Sequence, residues 1–185
     1  MRIMNILNTF FNLAISPSKG LEIVKRKENW ILLLLLFLWA NASRVTTGIL
    51  IGTIPNFLNY GFPAYLGIVL VLWIFTVSTI HFFARIFGGK GGVLKFFYIW
   101  GFSNFPFVFY PLIGFWVYYL KGIGKIIPLS IFFIWLLSYK VTAIKLNYRV
   151  STSKALFIFI SPYLLIVILL IFIGLFFALS FFINI

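Results

Sequence analysis

Polar residues occur along this chain in short clusters, and between the clusters run aliphatic and aromatic stretches with almost no charge. The first 16 residues follow a different pattern. Arg2, Asn5, Asn8, Thr9 and Asn12 recur at three- or four-residue spacing, with Ile3, Ile6, Leu7, Phe10, Phe11 and Ala14 on the other side. That period predicts an amphipathic helix. Two placements fit it: flat in the membrane interface, or packed on one end of a helical bundle. Ser16-Pro17 has the form of an N-cap followed by proline at the first helical position. It predicts a short second helix through Val24, closed by Lys25-Arg26-Lys27.

Beyond residue 28 the apolar runs lengthen. Five predicted spans cover about 30–54, 63–87, 94–119, 126–146 and 155–182. Each reaches the roughly 20 residues that cross ~30 Å of hydrocarbon. The third contains Pro106 and Pro111, which predict a break, and Pro162 predicts a bend or tilt in the overlong fifth. The expected class is all-α: a polytopic transmembrane bundle of five spans (29–185) preceded by an interfacial segment (1–28). Composition points the same way, because 63% of the 185 residues are hydrophobic and only 9% charged, too few to cover a water-soluble globule. The asparagines at 5, 8 and 12, with no small-residue cleavage site after them, argue against a cleavable signal peptide.

Charge sets the expected orientation. Glu22 and Glu28 are the only acidic residues against 15 Lys and Arg. One set of alternate span ends holds Arg2, Lys19, Lys25, Arg26, Lys27, Arg85, Lys90, Lys95, Lys140, Lys145, Arg149 and Lys154. The other holds only Lys121 and Lys125. The positive-inside rule then puts the amino terminus in the cytoplasm and the carboxyl terminus outside. Clusters at span ends suit anionic headgroups, not a nucleic-acid groove. With no cysteine, thiol chemistry and cysteine metal sites are excluded.

Few residues offer chemistry. Arg44 falls inside the first span, where a charge costs roughly 2.5–3.5 kcal/mol. It shares a helix face with Ala40, Gly48 and Gly52, a GxxxG packing pattern, in a region made polar by Asn41, Ser43, Thr46 and Thr47. The expected partners are carbonyls freed by Pro106 and Pro111, with Asn104 and Tyr110 at similar depth. This cluster either locks the bundle or lines a cavity for an anionic group. His81 stands alone, one turn before Arg85, and cannot build a metal site. A Ser78–His81 pair lacks a nucleophile elbow. In Ala84–Lys95 (ARIFGGKGGVLK) the glycine-lysine run lacks the final glycine and hydroxyl of a phosphate loop, so no nucleotide is expected there. Gly88, Gly89, Lys90 and Gly91 form either a tight turn between antiparallel spans or a cradle for a lipid phosphate or acidic partner. No cofactor is implied.

The order of these pieces resembles the Yip (Ypt-interacting protein) domain family. The resemblance rests on Pro17 before the first span and His81-Phe82-Phe83-Ala84-Arg85-Ile86-Phe87-Gly88-Gly89-Lys90-Gly91 after the second. It continues with Lys95, Gly101-Phe102-Ser103 and Pro106, then Ser153-Lys154-Ala155-Leu156 and Pro162. It implies five spans with a cytoplasmic amino terminus. Eukaryotic members act in vesicle trafficking with small GTPases, and some prokaryotic members are accessory to export systems. The short amino-terminal segment here suits the prokaryotic type, in a plasma membrane. The expected function is a non-enzymatic scaffold, trafficking or accessory subunit. It would bind another membrane protein and anionic lipid through Lys25, Arg26, Lys27, Arg85, Lys90, Lys95 and Arg149. The alternative is a small-molecule or lipid permease, or an export subunit, with its cavity at Arg44 and the broken third span.

Overall fold

A computed structural model of the chain describes residues 2–26, 28–51, 61–120 and 122–183. Lys27, Gly52 and Lys121, all singled out by the sequence, lie outside the described residues. Eight α-helices follow in order: α1 (Arg2–Ile15), α2 (Pro17–Arg26), α3 (Trp30–Leu50), α4 (Phe62–Ile86), α5 (Val93–Phe102), α6 (Tyr110–Tyr119), α7 (Ile126–Tyr148) and α8 (Thr152–Ile183). Short 3₁₀ turns at Phe105–Phe109 and Gly122–Lys125 lead into α6 and α7. Among the described residues five stretches are long and apolar enough to cross a membrane: α3, α4, α5–α6 with its 3₁₀ turn, Gly122–Tyr148, and Thr152–Phe177 of α8. The chain is an integral membrane protein of five apolar spans.

The spans begin and end where the helix code says they should. Asn29 caps α3 by accepting from the Leu32 N–H through Oδ1 at 3.0 Å, and Pro63 sits in the first turn of α4, where its missing N–H costs nothing. The third span breaks where its prolines predict. Α5 ends at Phe102, and the 3₁₀ turn carries the chain past Pro106 before Pro111 opens α6. The spans surround a core of Leu33, Val77, Phe96, Phe102, Tyr139 and Ile144. Α3 and α6 approach closely at Gly114, where a Cβ would meet Thr47 Cγ2 at 2.6 Å. Gly48 of the expected packing motif is buried on the same helix.

The amino-terminal helices flank the bundle instead of lying apart from it. Leu13, Leu21 and Val24 are fully or almost fully buried. The Tyr139 hydroxyl donates to the Leu13 carbonyl, while Lys25 Nζ donates to the Leu146 carbonyl. Α1 is thereby tied to α7 at Tyr139 and α2 at Leu146, seven residues or about 10 Å apart along α7 at the helical rise. The contacts show α1 and α2 packed on the bundle: besides the buried leucines, Phe10 meets Phe105 at 5.9 Å between ring centroids.

Candidate functional site

Two regions gather the polar residues. The first is the α4–α5 loop. Phe87 ends α4, and Gly88 turns the chain at φ 77°, a left-handed conformation that glycine adopts without strain. The Gly88 and Gly89 amides donate to the carbonyls of Arg85 (3.0 Å) and Ala84 (2.8 Å), and the Lys90 amide to that of Tyr148 (3.4 Å). Asn147 Nδ2 donates to the Gly92 carbonyl at 3.2 Å. His81 Nδ1 and Tyr148 Oη are hydrogen-bonded at 2.6 Å. The loop is thereby stitched to the end of α7. With the amides of residues 88 to 90 committed to protein carbonyls, the arrangement is that of a tight turn. Lys90 and Lys95 stay exposed around it. Arg149 follows α7 at φ 55°, exposed beside them. Lys25, Arg26 and Arg85 lie at the same end, and Arg26 pairs with Glu22 at 2.7 Å. Burial lowers Lys25 below the usual lysine range, helped by the charges of Lys95 and Arg149.

The second region is inside the membrane span. Arg44 does point inward, but its partners differ from the expected carbonyls. Its guanidinium lies over the Phe107 ring, 3.7 Å from the centroid, and Nη1 donates to Asn41 Oδ1 at 3.2 Å. Tyr65 Oη also reaches Asn41 Oδ1, at 3.4 Å. The Phe107 carbonyl is occupied by the Tyr110 N–H, because the 3₁₀ turn supplies i→i+3 bonds where the proline removed an i→i+4 bond. Proline thus reshaped the backbone without leaving that acceptor free. A desolvated cation over an aromatic face is worth ~2 kcal/mol, which offsets much of the insertion cost of the arginine.

Asn104 serves another residue altogether. Lys140, which the charge count had placed at the cytoplasmic surface, is buried in α7 at 8% exposure. Its Nζ donates to Asn104 Oδ1 at 2.8 Å and lies 4.1 Å from the centroid of the Trp100 ring. Eight residues, roughly 12 Å at the helical rise, separate it from the end of α7. The signal was present in the sequence. Lys140, Ala143, Ile144, Asn147 and Tyr148 recur at helix-face spacing and are all buried, the small-and-polar pattern of a helix interface in lipid.

Arg44 and Lys140 line one cavity of about 410 Å³, walled chiefly by apolar side chains such as Phe37, Leu72, Trp73 and Phe133. Exposed Leu72, Phe133 and Tyr163 come from α4, α7 and α8, so the mouth faces sideways into the bilayer. A second cavity of about 280 Å³, lined by Gly48, Tyr65 and Tyr110, shares Arg44 and Phe107 with the first. The arginine and its aromatic partner stand between the two. Pro106 and Pro111 line neither cavity but flank Phe107 and Tyr110, which do, and His81 belongs to the loop region, not to the cavity. Neither glutamate lines either cavity.

No curated protein matches this chain, and no solved structure does. The family model of the Yip1 domain matches residues 11–175, a stretch that runs from the middle of α1 into α8 and takes in the stitched loop, the broken third span and Lys140. The chain belongs to the Yip1 domain family.

Proposed function

We propose that this protein is a non-enzymatic membrane adaptor whose basic end faces the cytoplasm of a prokaryotic plasma membrane. It holds a membrane-protein partner and anionic lipid there. The observation that carries the reading is the rigid basic platform around the α4–α5 loop. Lys90, Lys95 and Arg149 are exposed on backbone pinned to the end of α7, and Lys25 and Arg85 border them. A pinned platform loses little entropy on binding, and each basic residue near an anionic leaflet contributes roughly 1 kcal/mol. Arg149 supports the reading further, since a non-glycine residue at positive φ carries strain that glycine there would not.

The test is site-specific photocrosslinking from position 94 in native membranes. The unaltered chain should give discrete crosslinked products, and Lys90→Gln/Lys95→Gln/Arg149→Gln should lose them. Identical products from both chains would refute the proposal.

A second reading, a permease or export subunit, draws on one observation: the two cavities meet at Arg44 and Phe107. Under it, Phe107→Ala joins the cavities and raises leak of a small anion from liposomes. Unaltered leak would count against it.

A further inference from the structure

The cavity is rich in donors and poor in acceptors. Arg44 offers a guanidinium bonded to Asn41 and interacting with Tyr65, and Lys140 offers an ammonium bonded to Asn104. Trp73, also in the wall, has a buried indole Nε1–H without an acceptor among the described residues. Two positive charges held below the membrane surface with no carboxylate in the cavity wall violate the rule that buried charges are paired. The amide oxygens and aromatic faces solvate the cations, yet they neutralise neither. A single anionic group would pair with both.

The shape says what kind of anion. Some 410 Å³ holds a headgroup and a short length of chain, and the walls beyond the two cations are apolar. The mouth passes Leu72, Phe133 and Tyr163 into the bilayer and not into water. A freely soluble anion would have to cross hydrocarbon to enter by that route, while an amphiphile arrives through the bilayer with its tail left there. We propose that the cavity between Arg44 and Lys140 is a binding site for the anionic headgroup of a membrane amphiphile, taken up sideways from the lipid phase. Lys140 and Arg44 are the charge partners, the Trp73 N–H is a further donor, and Asn41 and Asn104 are positioning residues that hold the cations apart. A phosphate monoester on a diacyl lipid and the carboxylate of a fatty acid share this chemistry. The site is independent of the basic platform, and it stands whether or not the ligand crosses the membrane.

The full chain, purified in a mild non-ionic detergent, is titrated separately with phosphatidate, oleate and phosphatidylcholine and read by native mass spectrometry. One anionic lipid should bind more tightly than the rest, with phosphatidylcholine at background. Lys140→Met and Arg44→Met should each weaken that binding about tenfold or more, as befits loss of a charge-assisted hydrogen bond. Asn104→Asp keeps the shape and supplies Lys140 with an internal carboxylate, so it should fold well and weaken binding as strongly, which keeps the test decisive if a methionine variant fails to fold. Lys90→Gln/Lys95→Gln should retain the tight lipid. Loss confined to phosphatidate or to oleate identifies the headgroup, and loss of both assigns recognition to charge alone. Equal occupancy in Asn104→Asp and the unaltered chain, or phosphatidylcholine bound as tightly as the anionic lipids, overturns the proposal.

Discussion

Three glycines in the α4–α5 loop should respond to alanine in three different ways. At Gly91 a Cβ would fall 2.3 Å from Asn147 Nδ2 and 2.5 Å from the Asn147 carbonyl oxygen. The second atom is backbone and cannot rotate away, so the loop must lift off α7. Lifting strains or breaks the Lys90–Tyr148 and Asn147–Gly92 hydrogen bonds. Overpacking costs roughly 1–3 kcal/mol and each bond about 0.5–1.5 kcal/mol, which together put Gly91→Ala near 3 kcal/mol of destabilisation. Gly88 has open space around it but sits at φ 77°, so Gly88→Ala should cost only about 1 kcal/mol of backbone strain. Gly92 has neither constraint, with φ −82° and no atom within 4 Å. Its alanine variant should be near neutral, the gain through the unfolded chain offset by glycine's advantage over alanine at the α5 N-cap. Thermal unfolding in detergent, followed by tryptophan fluorescence, checks the order. Gly91→Ala should lower Tm by roughly 6–12 °C, Gly88→Ala by a few degrees, and Gly92→Ala by almost nothing. Equal Tm values for the Gly91 and Gly92 variants would refute the stitched-loop account.

Three further outcomes follow from the same geometry. Tyr139→Phe removes the hydroxyl that holds the Leu13 carbonyl. It should cost about 1 kcal/mol and raise hydrogen exchange in α1 while the spans keep their protection; unchanged α1 exchange would contradict the tie. Arg149→Gly relieves a residue at φ 55° and should gain about 0.5–1 kcal/mol by thermal unfolding, while losing crosslinks at the basic platform; a lower Tm would deny the strain. Because burial, then Lys95 and Arg149, lower Lys25 from its ordinary 10.5, the unfolded chain binds its proton more tightly than the folded one. The penalty is present in full at neutral pH and fades as pH rises through the folded value toward 10.5. The stability of the unaltered chain relative to Lys25→Gln should therefore climb as pH rises from neutrality toward 10.5, and a flat difference would contradict it.

Much of the architecture was legible in the sequence because lipid imposes strict lengths: an apolar run either spans or does not, and Pro106 and Pro111 had to break theirs. The inward aim of Arg44 was also legible from its helix face. Its partners were not, since proline rules say which hydrogen bond is lost and not what geometry replaces it. Here a 3₁₀ turn satisfied the Phe107 carbonyl and presented that residue's ring to the guanidinium. Lys140 fell inside the expected 126–146 span, yet the charge count grouped it with the basic residues at the span's end, because a count of charges does not say which of them turn inward. Once α7 is seen to run to Tyr148, the lysine lies two turns inside. Gly91 and Gly92 are adjacent and chemically identical, and it is the positions of Asn147 and Tyr148 that tell them apart.

The ties between helix ends also bear on how the protein is made. Tyr139 meets Leu13 and Lys25 meets Leu146 across sequence separations of 126 and 121 residues. Α1 and α2 leave the ribosome long before α7, so for most of synthesis Leu13 and Lys25 lack these two partners. The amphipathic pair can meet Phe105 and α5 once the third span is in place, but the ties to Tyr139 and Leu146 form only after the fourth is inserted. The segment synthesised before the spans is thus among the later pieces to reach its final seat, and closure of the bundle's flank reports that insertion has run nearly to completion.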